Sequence, residues 1–358
     1  MVIATRAVAC VDFGVAQNCT WYGASLNVQS PPFFGSLDVA TGSASAVPGV
    51  SDSYLNFVSG TGPNFVSVTE SASVGGAILK NSTSSLVWVD TANGTTTALS
   101  APAVSRRGCP GWLEVAEVNG APCLLGWLAT ITHPDMAVDE ALTCTELPAS
   151  AAAGVLGTTT IWSNRSSAGS SGVPTLQLGD EHAIDTDAGI LYAQFNAGSL
   201  ARFDLSTASF LPALPVKSEL NCLHHDKQTR RLNALIADGK GAGGMSLVSV
   251  DPSSGALSAP RLAIPPPPPG LAPLQLQEWD GPKCTYSLTT GEMLRLLAKL
   301  EDGAAHPYLS LAELYVQHVD TRAPAVSAPA LVDAPLGDLP AGAVGWRFVN
   351  PLVSFLDA

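Results

Sequence analysis

No stretch of the 358 residues approaches the roughly 20 consecutive apolar side chains that a membrane-spanning helix needs, so no such span is expected. Charge is scarce too: 13% of residues are charged against 46% hydrophobic, which excludes a disordered or coiled-coil chain and predicts a compact fold. Basic residues are the scarcest, with 17 Lys and Arg against 30 Asp and Glu, a formal net charge of −13. No basic run exceeds the pair Arg106-Arg107 or the short stretch from Lys227 to Arg231. Such a field repels phosphate backbones, so no nucleic-acid partner is expected. The seven cysteines include no CxxC pair, which argues against a structural zinc site. A GxSxG elbow, an HExxH helix and a P-loop are all missing. The Gly-rich stretch from Gly239 to Gly244 follows a strand but opens no helix, so it reads as a flexible turn and not as a phosphate cradle.

What the chain has is a repeat. A short alternating strand ends in Asp and runs into a Gly/Ser/Thr turn at Ser36 to Gly42, Leu86 to Gly94 (LVWVDTANG), Leu200 to Ser206 (LARFDLS), Leu247 to Gly255 (LVSVDPSSG) and Leu314 to Arg322 (LYVQHVDTR). A degenerate copy spans Leu142 to Pro148 (LTCTELP). Period-two alternation marks a strand, and Asp before Ser, Thr, Asn or Gly supplies a turn, so each copy is a hairpin. The Asp is expected to accept turn amides and to take no catalytic part.

A second phrase precedes each copy after the first and recurs near the C-terminus, at Leu55 to Val58, Gly111 to Val115, Glu181 to Ile184, Leu220 to Leu223, Gln277 to Asp280 and Gly345 to Val349. These read as the first strands of four-stranded antiparallel units. The last has no outer strand after it, and the hairpin at Asp38 has no first strand before it. That offset is the closure pattern of a ring in which C-terminal strands complete a sheet begun by the N-terminus. The expected fold is therefore an all-β, six-bladed β-propeller, with seven blades as the alternative. It forms one domain over 1–358, with a closing blade from 343–358 plus 1–45 and further blades near 50–100, 105–150, 175–215, 218–262 and 272–328. Through LVSVDPSSG and AIDTDAGILYA the chain resembles the YVTN, NHL and SMP-30-like (gluconolactonase) propeller repeats, a likeness of blade construction. No WD or kelch signature recurs.

First strands of a propeller line its channel, so Asn56, Glu114, His182, Asn221, Glu278 and Arg347 are expected to converge as ligand or channel residues. Such oxygen and nitrogen donors suit a calcium or magnesium ion, and the SMP-30-like resemblance implies one, held by carboxylates and Asn side chains. Against that reading, the lactonase Glu-Gly-Pro opening is missing, and Trp112 and Trp346 beside the ring plug part of the channel. In His224-His225-Asp226 adjacent residues point to opposite faces of a strand, so one buried and one exposed histidine are expected, with Asp226 opening a turn. His133-Pro134-Asp135 and His306-Pro307 read as loops. Thr289-Thr290-Gly291-Glu292 resembles a capping box opening an amphipathic helix through Leu300, with a strand pair as the alternative. The Pro265 to Pro269 run is a stiff connector between blades, and Ala149 to Gly172 reads as an exposed loop.

Close spacing makes Cys10 with Cys19, and Cys109 with Cys123, disulfide candidates. Asn18, Asn81, Asn93 and Asn164 open glycosylation sequons. Together these favour a secreted or cell-surface glycoprotein, with an organelle lumen as the alternative, although the apolar run in Met1 to Val11 is too short for a convincing signal peptide. The functional expectation is a non-catalytic binding or scaffold module whose partner is another protein or a glycan. The alternative is an SMP-30-like metal-dependent hydrolase using Glu114, Glu278 or His182 as base.

Overall fold

The computed structural model describes residues 2–7, 21–26, 33–38, 41–46, 55–61, 64–70, 84–90, 95–99, 110–119, 121–132, 137–146, 155–166, 182–196, 198–238, 244–273, 284–286, 291–300 and 311–331. Among them every regular element is a β-strand. No helix of the described residues is long and apolar enough to cross a membrane.

The strands fall into six antiparallel sheets in chain order. The first holds β1 (Val2–Ala7), β2 (Trp21–Leu26), β3 (Phe33–Leu37) and β4 (Ala44–Ala46). The second holds β5 (Leu55–Thr61), β6 (Asn64–Glu70), β7 (Ser84–Asp90) and β8 (Thr95–Leu99). The third holds β9 (Pro110–Val118), β10 (Ala121–Thr132), β11 (Ala137–Glu146) and β12 (Thr158–Ser166). The fourth holds β13 (His182–Asp185), β14 (Ile190–Asn196), β15 (Gly198–Asp204) and β16 (Ser209–Val216). The fifth holds β17 (Asn221–Asp226), β18 (Arg231–Ala237), β19 (Met245–Val250) and β20 (Leu262–Ile264). In the sixth, β21 (Leu271–Pro273) and β22 (Cys284–Tyr286) both pair with β23 (Glu292–Leu300). Beyond it, β25 (Ala325–Val326) and β26 (Ala330–Leu331) both pair with β24 (Leu311–Asp320).

The hairpin phrase of the sequence falls each time on the third strand of a sheet, β3, β7, β11, β15, β19 and β24, and after β3, β15, β19 and β24 on the described turn beyond it. Its aspartates are turn acceptors. Asp38, Asp204, Asp251 and Asp320 each take at least one backbone amide two or three residues ahead. Asp185 and Asp226, which end first strands, do the same for the first hairpins of their sheets. In the degenerate copy Glu146 replaces Asp, and its Oε2 accepts from the Gly157 amide at 3.0 Å across a wider connection.

The sheets stack face to face. The fifth buries both faces, because successive side chains of a strand point to opposite sides. Leu232, Ala234 and Val250 pack toward the fourth sheet with Ala183, Tyr192, Leu200 and Leu214. Leu235, Met245 and Leu247 pack toward the sixth with Met293 and Val319. Between the third and fourth sheets, Trp162 meets Phe203 and Phe210 edge-on at 6.2 and 5.8 Å between ring centroids. First strands are also neighbours: β5 lies beside β9, β13 beside β17, β17 beside β22, and β1 beside both β5 and β22.

Three expectations change here. Residues 292–300 form the strand β23, the alternative reading, and not a helix: a strand buried on both faces carries a near-continuous apolar run, and Met293, Leu294, Leu296 and Leu297 are all buried. The stretch read as an exposed loop contains β12, fixed by pairing with β11. The first sheet has a first strand of its own, β1, where the sequence had offered none before Asp38. The expected contribution of 343–358 lies outside the described residues.

Candidate functional site

Four of the six expected channel residues sit in first strands: Asn56 in β5, Glu114 in β9, His182 at the start of β13 and Asn221 at the start of β17. Asn221 is buried. Trp112 also lies in β9. Glu278, Arg347 and Trp346, with the histidine motifs at His133 and His306, lie outside the described residues. Among the described residues, no three His, Cys, Asp or Glu side chains are grouped to hold a metal ion, so those present do not form the cage that calcium chemistry needs.

Among the described residues a buried polar cluster lies instead along β17, at its joints with the neighbouring sheets. All six residues of this strand are buried, His224 and His225 included, so the expected exposed histidine is corrected. The cause is position: β17 lies between β13 and β22 and is packed from both sides. A bulge at Cys222, whose φ is +54°, shifts the register between Asn221 and His224. His224 Nδ1 is 2.9 Å from the Cys222 carbonyl. An oxygen that can only accept makes this nitrogen the donor and fixes the tautomer.

Burial drives His224 down to about 4, against smaller upward pulls from the Cys222 carbonyl and Asp226. Its neighbour His225 is also held below the usual histidine range, first by burial, although Asp185, Asp187 and Asp226 pull the other way. Both are therefore neutral near pH 7. The unfolded chain takes up protons that the fold refuses, so stability is expected to fall as pH drops from about 6.5 to about 4. His224 alone accounts for about 3 kcal/mol of that loss. Chemical denaturation at stepped pH checks this, with His224→Gln flattening the decline over that window.

The two hairpin aspartates also tie sheets together. Asp185 accepts turn amides through Oδ1 and places Oδ2 3.5 Å from His225 Nε2, joining the fourth sheet to the fifth. Asp226, 1% exposed, accepts Arg322 Nε at 3.0 Å on Oδ2 and Nη2 at 2.7 Å on Oδ1, a bidentate pair joining the fifth sheet to the sixth. Thr229 Oγ1 donates to the same carboxylate at 2.7 Å. Burial raises the Asp226 carboxyl, but bonds from Arg322 and Thr229 outweigh it and leave the group below the usual carboxylate range. Gly291, at φ +74°, leaves room for Arg322: a Cβ there would come within 2.6 Å of its side chain. Arg261 repeats the tie, donating to Asn233 Oδ1 and to the Thr321 carbonyl. Exposed pairs of Asp187 with Lys227 and Arg230, each at 3.9 Å, add little.

The cysteines pair differently from the spacing argument. Cys123 is bonded to Cys144 across β10 and β11, with Cα atoms 5.6 Å apart. The residue facing Cys123 on β9 is Ala116, so the Cys109–Cys123 bridge is corrected. A second disulfide, Cys222–Cys284, joins β17 to β22 and therefore the fifth sheet to the sixth. Both bonds are consistent with an oxidising compartment. Cys10 and Cys19 lie outside the described residues, as do Asn18, Asn81 and Asn93. Asn164 is in β12 opposite Glu140 with its amide nitrogen buried, a poor acceptor for a glycan in the folded protein. No spacing rule could have found Arg322, 96 residues from Asp226.

No family model matches the chain, and no curated protein matches it. Among solved structures it is similar to a puromycin hydrolase mutant at 14% identity and a TM-score of 0.47, covering 90% of this chain and 44% of that one. The chain thus spans less than half the length of that hydrolase. It is similar to the β-propeller domain of Myceliophteria thermophila Cps50 (Swd1) at 12% identity and a TM-score of 0.42, covering 90% and 86%. A putative TolB from Agrobacterium tumefaciens follows at 10% identity and a TM-score of 0.43, covering 81% and 85%. Structural neighbours therefore include a β-propeller domain, and likenesses this distant carry no argument about activity.

Proposed function

We propose that the chain is a single six-bladed β-propeller that works as a non-catalytic binding or scaffold module of an extracellular or lumenal assembly, its partner a protein or a glycan. Support for the ring comes from the repetition of one antiparallel layout through six sheets and from β1 lying beside both β5 and β22. The binding role rests on one observation: the polar side chains of the best-defined cluster are engaged in holding sheets together. His224 faces a carbonyl, His225 faces Asp185, and Asp226 is bound by Arg322 and Thr229. In this reading Asn56, Glu114, His182 and Asn221 stand in the first strands of four blades around the axis, and Glu278 and Arg347 are further candidates for the channel.

Two measurements on the oxidised protein test it. Crosslinking in its native compartment is expected to recover one stoichiometric protein or glycan partner. Lactone hydrolysis with calcium or magnesium present is expected to stay at the uncatalysed rate. Turnover that disappears with Glu114→Gln or Glu278→Gln overturns the reading in favour of a channel hydrolase.

A further inference from the structure

Arg295 is the largest fully buried side chain among the described residues, 1% exposed in the middle of β23. Its register partners are Cys284 on β22 and Gln317 on β24. Cys284 is bonded to Cys222, and Met293, two residues along β23 on the same face as Arg295, packs with Leu235, Met245 and Leu247, so this face looks toward the fifth sheet. One guanidinium nitrogen is used: Nη1 donates to Gln317 Oε1 at 2.9 Å, and Gln317 is held in turn by donating to the Ser327 carbonyl at 3.0 Å. Nε and Nη2 are buried and have no hydrogen-bond partner among the described residues. Burial lowers the group to about 10, so it stays charged near neutrality.

A buried cation without an opposite charge is expensive, and buried charges are ordinarily paired. The two open nitrogens are not an arbitrary pair. Nε–H and Nη2–H lie along one edge of the planar guanidinium and point the same way, the fork that takes both oxygens of one carboxylate. Arg322 uses this same edge on Asp226, with Nε on one oxygen and Nη2 on the other. The face of β23 that carries Arg295 also carries Met293, which packs with Leu235, Met245 and Leu247, and lies opposite Cys284 of the Cys222–Cys284 bond.

We infer that Arg295 is the anchor of a binding site for a small organic carboxylate between the fifth and sixth sheets, its two oxygens on Nε and Nη2 and its apolar body against the neighbouring core. This goes beyond the binding of a macromolecular partner and does not depend on it. Gln317 is a positioning residue, holding the third nitrogen so that the fork keeps its orientation.

The probes are sodium acetate, propionate and benzoate, with sodium chloride at equal ionic strength as control. Thermal unfolding of the unmodified protein is expected to shift upward by about 2–4 °C in a saturable way with a carboxylate and not with chloride. Arg295→Met is expected to abolish the shift, and Arg295→Lys, which keeps the charge but loses the fork, to weaken half-saturation at least tenfold. Absence of a saturable shift in the unmodified protein overturns the inference whether or not the variants fold. So does a shift that persists in Arg295→Met. Loss of stability in Glu278→Gln or Asp280→Asn equal to, and not additive with, that of Arg295→Met also overturns it, because a carboxylate of the chain itself then occupies the fork.

Discussion

Replacing Arg322 with alanine is expected to destabilise the protein by about 3–5 kcal/mol, the range for a buried ion pair that loses one partner. Exposure sets the size of the effect: the Asp226 carboxylate is 1% exposed and the Arg322 side chain 19%, so the carboxylate left behind cannot be rehydrated in place. Thr229 and the turn amides of Gln228 and Thr229 continue to donate to it, but nothing then offsets burial by charge. The Asp226 carboxyl, now held below its ordinary value, is expected to rise. Stability that the unmodified protein keeps until pH falls through that depressed value is then lost at higher pH. Urea denaturation at pH 7 and pH 5 measures both effects. Arg322→Lys should fall between, since an ammonium keeps the charge without the fork. Asp226→Asn added to Arg322→Ala should recover part of the loss, because the stranded charge is gone.

The second large effect concerns the Cys222–Cys284 bond, which spans 62 residues of sequence. Loop-closure entropy assigns such a crosslink about 4 kcal/mol, against about 3 kcal/mol for a span of 21 residues as in Cys123–Cys144. Paired serine substitutions are expected to destabilise in that order. The gap should widen further because Cys222–Cys284 joins two sheets, whereas Cys123–Cys144 staples neighbouring strands of one sheet that ladder bonds already hold. Equilibrium unfolding of the two double variants, compared with the parent under reducing and non-reducing conditions, gives the ranking. An equal loss from both pairs would show that the joint between the fifth and sixth sheets is held by its apolar core, the Asp226–Arg322 pair and Arg261, without help from the disulfide.

The strands were legible where local chemistry decides them. An Asp that accepts amides two or three residues ahead needs nothing distant, and Asp204, Asp251 and Asp320 behave as their phrases predict. The all-β class follows from the same signals. Periodicity left helix and strand open at residues 292–300, where burial on two faces replaces alternation with a run of apolar residues that a helix could equally carry, and the strand is what forms. Alternation also misleads at β17, since the sequence cannot say that a strand has neighbours on both sides, and the one exposed histidine expected of the His224-His225 pair is buried for that reason. Cross-sheet partners were beyond reach altogether. Asp226 looks like any turn aspartate until Arg322 arrives from the last sheet, and Arg295 in an apolar strand carries no sign of which atoms surround it. Of the expected channel residues, the sequence could place Asn56, Glu114, His182 and Asn221 on first strands, but which atoms face an axis is set by the stacking of whole sheets.

The Cys222–Cys284 bond also straddles the proline-rich connector between β20 and β21. A peptidase that cuts the chain anywhere in that connector therefore yields two fragments still joined covalently, which separate on a gel only after reduction. Nicked and intact protein share one hydrodynamic size, and a break in the backbone at the fifth-to-sixth junction need not release the last sheet.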